Sequence, residues 1–303
     1  MTVSEPLGER TKPARPFRDD VAAVVVSYNV KDLLLRCLRS LREDGLERIV
    51  VVDNASADGT PAAVAAEPDI DLVALERNVG FAGGANRGVA RTDTPYVTLV
   101  NPDEVVEPGC TAALVEALER DPELAVVGPR ITTPDGRIYP SARRFPDLVD
   151  AAGHAFLYLV WPGNPFSRRY RMADWDHASA REVDWVATTH VVVRREAWDQ
   201  VGGFDERYFM YMEDVDLCWR LRASGWKVGY EPAAAAMHEI GASTDQTPYR
   251  MIVVHHRSLW RYAVRTSRGW RRALLPFIAV ALVVRVGLAW VHRATRRRPH
   301  AAP

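Results

Sequence analysis

Residues 21–27, 48–52 and 96–100 are apolar runs rich in Val, with Ser27 and Arg48 at their ends, Thr98 inside the third, and no alternation of polar positions. Runs of this kind are expected of strands buried on both faces, which occur where helices cover both sides of a parallel sheet. Between them, residues 31–42 place Leu34, Leu35, Leu38 and Leu41 on one helical stripe. Residues 58–66 read as a helix with Asp58 as its N-cap. Residues 71–75 read as a short strand and 84–90 as a helix. Strand and helix alternate, so the expected class is α/β, a Rossmann-like, mostly parallel sheet with helices on both faces. Ligands of such sheets bind beyond the carboxyl ends of the strands. The chain places Ser27, Asp53 and the turn Asn101-Pro102-Asp103 at that edge.

The second half is patterned differently. Thr133-Pro134-Asp135-Gly136-Arg137 is a strong turn signal, and residues 145–180 are rich in Trp, Tyr, Pro and Arg without clear periodicity. Residues 184–193 read as a strand, 195–200 as a short helix, 214–223 as a helix and 227–230 as a last short strand. The expected organisation is a flexible leader over 1–20 and a domain over 21–245. Within that domain the pattern divides 21–130 from 131–245. A basic helical tail over 246–303 follows.

Charge sets the tail apart. The whole chain is neutral, yet residues 249–303 contain twelve Arg and no Asp, Glu or Lys. Two apolar stretches, 274–284 and 286–291, flank Arg285, and each falls short of the ~20 residues needed to span a bilayer. Their basic flanks, including Arg268, Arg271, Arg272, Arg293, Arg296, Arg297 and Arg298, suit a helix lying on an anionic membrane surface, with Trp270 and Trp290 at headgroup depth. Packing on its own domain or on a second copy, as a homodimer, is the other reading. The apolar content argues against nucleic acid. Cys37, Cys110 and Cys218 have no metal-type spacing and read as small core residues of a reducing compartment.

Several segments carry chemistry. Asp53 ends a strand and can accept from the imide N–H of a pyrimidine, or simply shape a turn with Ser56. Residues 77–88 form a Gly-rich loop running into a helix, able to offer N–H groups to an anion; its spacing matches neither the Walker loop nor the dinucleotide fingerprint. Asp103 could hold Mg²⁺ or Mn²⁺ against a diphosphate. Glu213-Asp214 opens a helix, where acids either offset the macrodipole or supply a general base. His238 could ligate the metal or touch a phosphate.

Seven motifs occur in one order: Ser27-Tyr28-Asn29, Asp53-Asn54-Ala55-Ser56, Asn78-x-Gly80-Phe81-Ala82, Asn101-Pro102-Asp103, Val201-Gly202-Gly203-Phe204-Asp205-Glu206, Met212-Glu213-Asp214-Val215-Asp216 and His238-x-x-Gly241-x-Ser243. Together, over about residues 20–245, they resemble the family 2 glycosyltransferases with the GT-A fold. The resemblance implies inverting transfer from a nucleotide-diphosphate sugar, with 21–130 as the nucleotide-binding half and 131–245 as the acceptor half. It implies nucleotide-sugar binding by Ser27, Asn29, Asp53, Asn78, Gly80, Asn101 and Asp103. It makes Asp214 the base, with Glu213 beside it, and Asp103 and His238 the holders of a divalent metal. The pattern is most similar to the actinobacterial branch that moves rhamnose from dTDP-rhamnose onto a polyprenyl-diphosphate-linked GlcNAc in cell-wall assembly. Such an enzyme would sit peripherally on the cytoplasmic face of the plasma membrane. Thr188-Thr189-His190 departs from the small residues common in relatives and leaves the donor sugar open. Another nucleotide sugar and glycan acceptor, or a non-catalytic sugar-nucleotide-binding protein, are the competing readings.

Overall fold

A computed structural model describes residues 19–146, 148–158, 161–239 and 246–295, without the side chains of 148, 149, 151, 152 and 155. Most of the leader, Gly241 and Ser243 of the last motif, and Arg296, Arg297 and Arg298 of the tail lie outside the described residues. The first half runs β1 (Val21–Ser27), α1 (Lys31–Glu43), β2 (Arg48–Asp53), α2 (Thr60–Ala65), β3 (Ile70–Ala74), α3 (Gly80–Val89), β4 (Tyr96–Val100), β5 (Glu104–Val106), α4 (Cys110–Arg120) and β6 (Leu124–Thr132). The second continues through β7 (Ile138–Tyr139), β8 (Ala142–Arg143), α5 (Leu148–Leu157), α6 (Pro165–Tyr170), β9 (Arg181–Val183), β10 (Trp185–Val186) and β11 (His190–Arg194). It closes with α7 (Arg195–Val201), α8 (Glu213–Ala223), β12 (Lys227–His238), α9 (Pro248–Thr266) and α10 (Leu275–Thr295).

One ten-stranded sheet runs through both halves in the order β3-β2-β1-β4-β11-β6-β12-β5, with β7 paired to β6 and β9 to β12 off that path. The pairs among β3, β2, β1 and β4 are all parallel, as is β6 with β12, whereas β11 enters antiparallel between β4 and β6. All of β1 is buried, and its side chains divide by parity. Val21, Ala23 and Val25 join Leu34, Leu38, Leu41 and Leu114 on one face. Val24 and Val26 join Ala82, Ala85, Val191 and Leu217 on the other. This is the period-2 geometry of a strand with two cores, and it explains why no polar residue interrupts the run. The three cysteines are buried and unpaired.

The expected boundaries shift in physically interpretable ways. Asp58 is not the N-cap of α2; Gly59 is, with φ of +85°. Asp58 instead braces the turn, accepting from the backbone N–H groups of Lys31 and Thr60. The expected strand over 184–193 is divided between two sheets: β10 pairs antiparallel with β8 in a separate two-stranded sheet, a pairing the Ala187 N–H extends by donating to the Ser141 carbonyl, and β11 joins the main sheet. The expected strand over 227–230 extends to His238, since its alanines pair with β5 and β6. In the tail the two apolar stretches merge into one helical segment, Gly269–Thr295, long and apolar enough to cross a membrane and with none of its apolar window buried. Arg285 does not face outward from it: its guanidinium lies 2.7 Å from His256 Nε2 on α9.

Candidate active site

The carboxyl ends of β1 and β4, the C-terminal end of β12 and the N-terminus of α8 face a common cleft of about 410 Å³. Ser27, Asn78, Gly80, Asn101, Asp103, Glu213, Asp214 and His238 all line it. Residues separated by more than a hundred positions therefore share one wall. Neither Asn29 nor Asp53 is on that wall. Asn29, at φ +53°, ties loops together: its side chain accepts from the Ala57 N–H and its carbonyl from Gln246. Asp53 is fully buried in register with Ser27. One carboxylate oxygen of Asp53 accepts from the Ser56 N–H, while its other oxygen and the Ser27 hydroxyl are buried without a partner.

The Gly-rich loop does not offer an anion nest. The Val79 N–H donates to Asn54 Oδ1, the Gly80 N–H to Asn78 Oδ1 and the Phe81 N–H to the Phe209 carbonyl. These three amides are engaged within the protein, and that of Phe81 ties the loop to the segment that precedes α8. Gly80 has φ of +84°, and a Cβ there would lie 2.1 Å from the Phe209 carbonyl oxygen. Glycine is required by both backbone conformation and space. Asn78 and Gly80 border the cleft as its frame.

At one end, Asp103 Oδ1 lies 3.0 Å from His238 Nε2, and both side chains are nearly buried. Burial opposes the His238 imidazolium, but the hydrogen bond to Asp103 and the charges of Glu104 and Asp103 outweigh it and raise its pKa. Next to Asp103, the fully buried Glu104 faces His190 at 3.5 Å. A carboxylate and an imidazole on one cleft wall suit a divalent ion whose remaining positions are filled by ligand oxygens. Among the described residues no three His, Cys, Asp or Glu side chains are grouped to hold a metal alone, so ligand oxygens would have to complete the shell. The buried, unpaired His238 Nδ1 is further polar capacity at this point.

At the other end, α8 starts from two strained residues, Tyr211 and Met212, at φ +67° and +68°. Such conformations persist where the surroundings over-determine them, and here they turn Glu213 and Asp214 into the cleft. Burial raises the Asp214 pKa to about 6, opposed by the Val215 N–H and the nearby Arg143 cation. Burial and the charge of Asp214 push Glu213 well above the ordinary glutamate range, and its Oε2 is buried without a partner. Two negative charges are disfavoured at one buried site, so each carboxyl holds its proton more tightly than it would in water.

Arg143 is the residue that sequence patterns missed. It lies on β8 with its guanidinium 5.0 Å from the Trp185 ring and 5.6 Å from those of Tyr139 and Tyr170. It donates to the Pro140 carbonyl and the Tyr139 hydroxyl. The aromatic walls keep a cation beside Asp214 without a neutralising ion pair. Aromatic density around 139–185 was the available signal, but lone arginines carry no spacing. Thr188 and Thr189 also line the cleft, at the departure noted above.

Comparison with known proteins supplies the frame. The family model described as Glycosyl transferase family 2 matches residues 22–180. An N-acetylglucosaminyl-diphospho-decaprenol L-rhamnosyltransferase of Mycobacterium tuberculosis is 39% identical over 272 residues, covering 85% of this chain and 88% of its own. The rhamnosyltransferase WbbL of Escherichia coli K12 is 27% identical, with 81% of this chain and 93% of its own covered. Among solved structures, the mannosyltransferase PcManGT of Pyrobaculum calidifontis, in complex with GDP-Man and Mn²⁺, superimposes with a TM-score of 0.57 at 18% identity, covering 96% of this chain and 81% of that one. That likeness establishes the GT-A-type α/β fold.

Proposed function

Because the chain belongs to glycosyl transferase family 2, we propose that it transfers rhamnose from dTDP-rhamnose to a GlcNAc carried on a polyprenyl diphosphate, with inversion, at a membrane surface. One observation carries this reading: the Asp103–His238 pair and Asp214, far apart in sequence, line the same cleft. A leaving-group end and a proton-accepting end then flank one saccharide.

In this reading the pyrimidine lies against the end of β1, where the unpaired Ser27 hydroxyl borders the cleft, with the Asp53 carboxylate buried behind that edge. Asn101 borders the ribose and diphosphate. A divalent ion, Mg²⁺ or Mn²⁺, held by Asp103 and His238 would neutralise the departing diphosphate. Asp214 accepts the proton of the GlcNAc hydroxyl as that oxygen attacks the anomeric carbon, and the carbon–oxygen bond to the diphosphate breaks on the opposite face. A base with a pKa near 6 is ionised at neutral pH yet basic enough to take a proton as the bond forms. Burial and the Asp214 charge both disfavour ionisation of Glu213, which limits a second charge beside the base. Arg143 holds Asp214 ionised and in place. The basic apolar tail keeps the enzyme beside its lipid-linked substrate, on the cytoplasmic side where nucleotide sugars are made.

Mass spectrometry of the product from dTDP-rhamnose and a short-chain polyprenyl-diphosphate-GlcNAc tests this directly. The expected product is heavier by one deoxyhexose. A product formed only with another nucleotide sugar would replace the donor and implicate Thr188 and Thr189 in its choice. No nucleoside diphosphate released with any donor and acceptor would contradict catalysis.

A further inference from the structure

Beside the active cleft lies a second, larger groove of about 1260 Å³, which the chemistry above does not use. It follows one side of α9 from Tyr249 to Arg265 and is bounded by Arg207 and Phe209 and by Trp290 of α10. Two of its residues, Phe209 and Arg250, also line the active cleft. The groove and the cleft are thus continuous, and Arg250 stands where they meet, its guanidinium 4.9 Å from the Phe209 ring.

The arginines of the groove fall into two classes. Arg207 and Arg265 are paired with Asp205, and Arg261 donates to the Arg207 carbonyl. Arg250 and Arg257 are exposed and have no acidic partner among the described residues. Seven positions apart on one helix, they share a face at a separation of ~10 Å. Between and beyond them the wall is apolar: Val253, Val254, Trp260 and Val264, closed over by Trp290, which meets Tyr249 edge-on. Uncompensated guanidinium groups suit phosphate oxygens, and an apolar trough suits hydrocarbon. A free nucleotide or phosphate would have no use for the apolar walls. A bilayer surface would meet an exposed face rather than a groove that runs into a catalytic cleft.

We propose that this groove seats the acceptor lipid. Its diphosphate lies at Arg250 with Arg257 along its path, its first isoprene units lie against Val253, Val254, Trp260 and Trp290, and its sugar projects past Phe209 toward Asp214. The inference rests on the acceptor class named under the proposed function and adds the route by which that acceptor enters.

The test uses the full chain in detergent with a photo-reactive isoprenyl-diphosphate-GlcNAc probe, followed by peptide mapping. Labelling is expected within residues 248–266 or at Trp290, displaced by unlabelled polyprenyl diphosphate and not by inorganic diphosphate or by vesicles of anionic phospholipid. Labelling elsewhere, or equal displacement by inorganic diphosphate or by the vesicles, would overturn the proposal. Kinetics give a second arm. Arg257→Gln and Val254→Gln should each raise KM for the lipid acceptor several-fold, with kcat nearly unchanged and nucleoside diphosphate binding intact as the check on folding. Wild-type KM in both variants would overturn it. Wild-type protein that labels in the groove but transfers no sugar would remove the functional reading and leave the groove standing; transfer without labelling there would remove the groove alone.

Discussion

Asp214 and Glu213 are neighbours in sequence with different electrostatic positions, and the difference is testable in pH. Asp214 must be ionised to accept a proton, so kcat/KM should rise with pH along an acid limb near 6, the value to which burial lifts it. The Arg143 cation lowers that value, so Arg143→Gln should move the limb upward by ~0.5–1 unit while preserving the plateau at higher pH; a pH–rate profile with an unmoved limb would remove Arg143 from this role. Glu213 gives a stability prediction. Its native pKa is raised above its ordinary value by burial and by Asp214. A carboxyl of that kind favours the folded state in acid, and that contribution is lost as pH rises through the native value. Glu213→Gln, which cannot ionise, should therefore have a higher Tm than wild type at neutral and alkaline pH, with the advantage vanishing in acid. Thermal melts at pH 4 and pH 8 check the sign. None of this was legible in the sequence beyond the bare acidic pair, because a pKa depends on walls such as Trp185 and Tyr170 that come from elsewhere in the chain.

At the scale of elements, the strands with two buried faces were readable and the connecting pieces were not. β1, β2 and β4 declare themselves by Val-rich apolar runs without polar alternation, since no solvent-facing position demands a polar residue. β5 has three residues, too few for any periodicity. The expectation for β12 stops at Tyr230 because alanine has low strand propensity, yet Ala235 is paired with β6 and Ala236 with both β5 and β6. The Gly-rich loop invited an anion-binding reading that its internal hydrogen bonds remove. What glycine supplies there is close approach between α3 and the segment carrying Glu213. Gly80→Ala should accordingly destabilise the fold by ~2 kcal/mol or more, from the left-handed backbone and the Phe209 contact together. Chemical denaturation measures this. A stability within ~0.5 kcal/mol of wild type, small for any single substitution, would show that the loop can yield.

For the whole molecule, the sheet joins the half that carries β1, β2 and β4 to the half that carries α8, and the tail is appended to the second. The arginine count exposed the tail's character, but not how Arg285 is accommodated: that depends on His256 of α9, a partner no hydropathy pattern reveals. Removing residues 269–303 should shift the protein from the membrane fraction to the supernatant without changing its affinity for nucleoside diphosphate; a truncated protein that still sediments with membranes would place the anchor elsewhere. The claim on which the rest depends is that one cleft holds the leaving group at Asp103 and His238 and the proton acceptor at Asp214. The most direct measurement is single-turnover transfer by Asp214→Asn alongside calorimetric titration with the donor's nucleoside diphosphate. Transfer should fall by ~10²–10⁴ while nucleotide affinity stays at the wild-type value. Wild-type transfer rates in that variant would contradict the account.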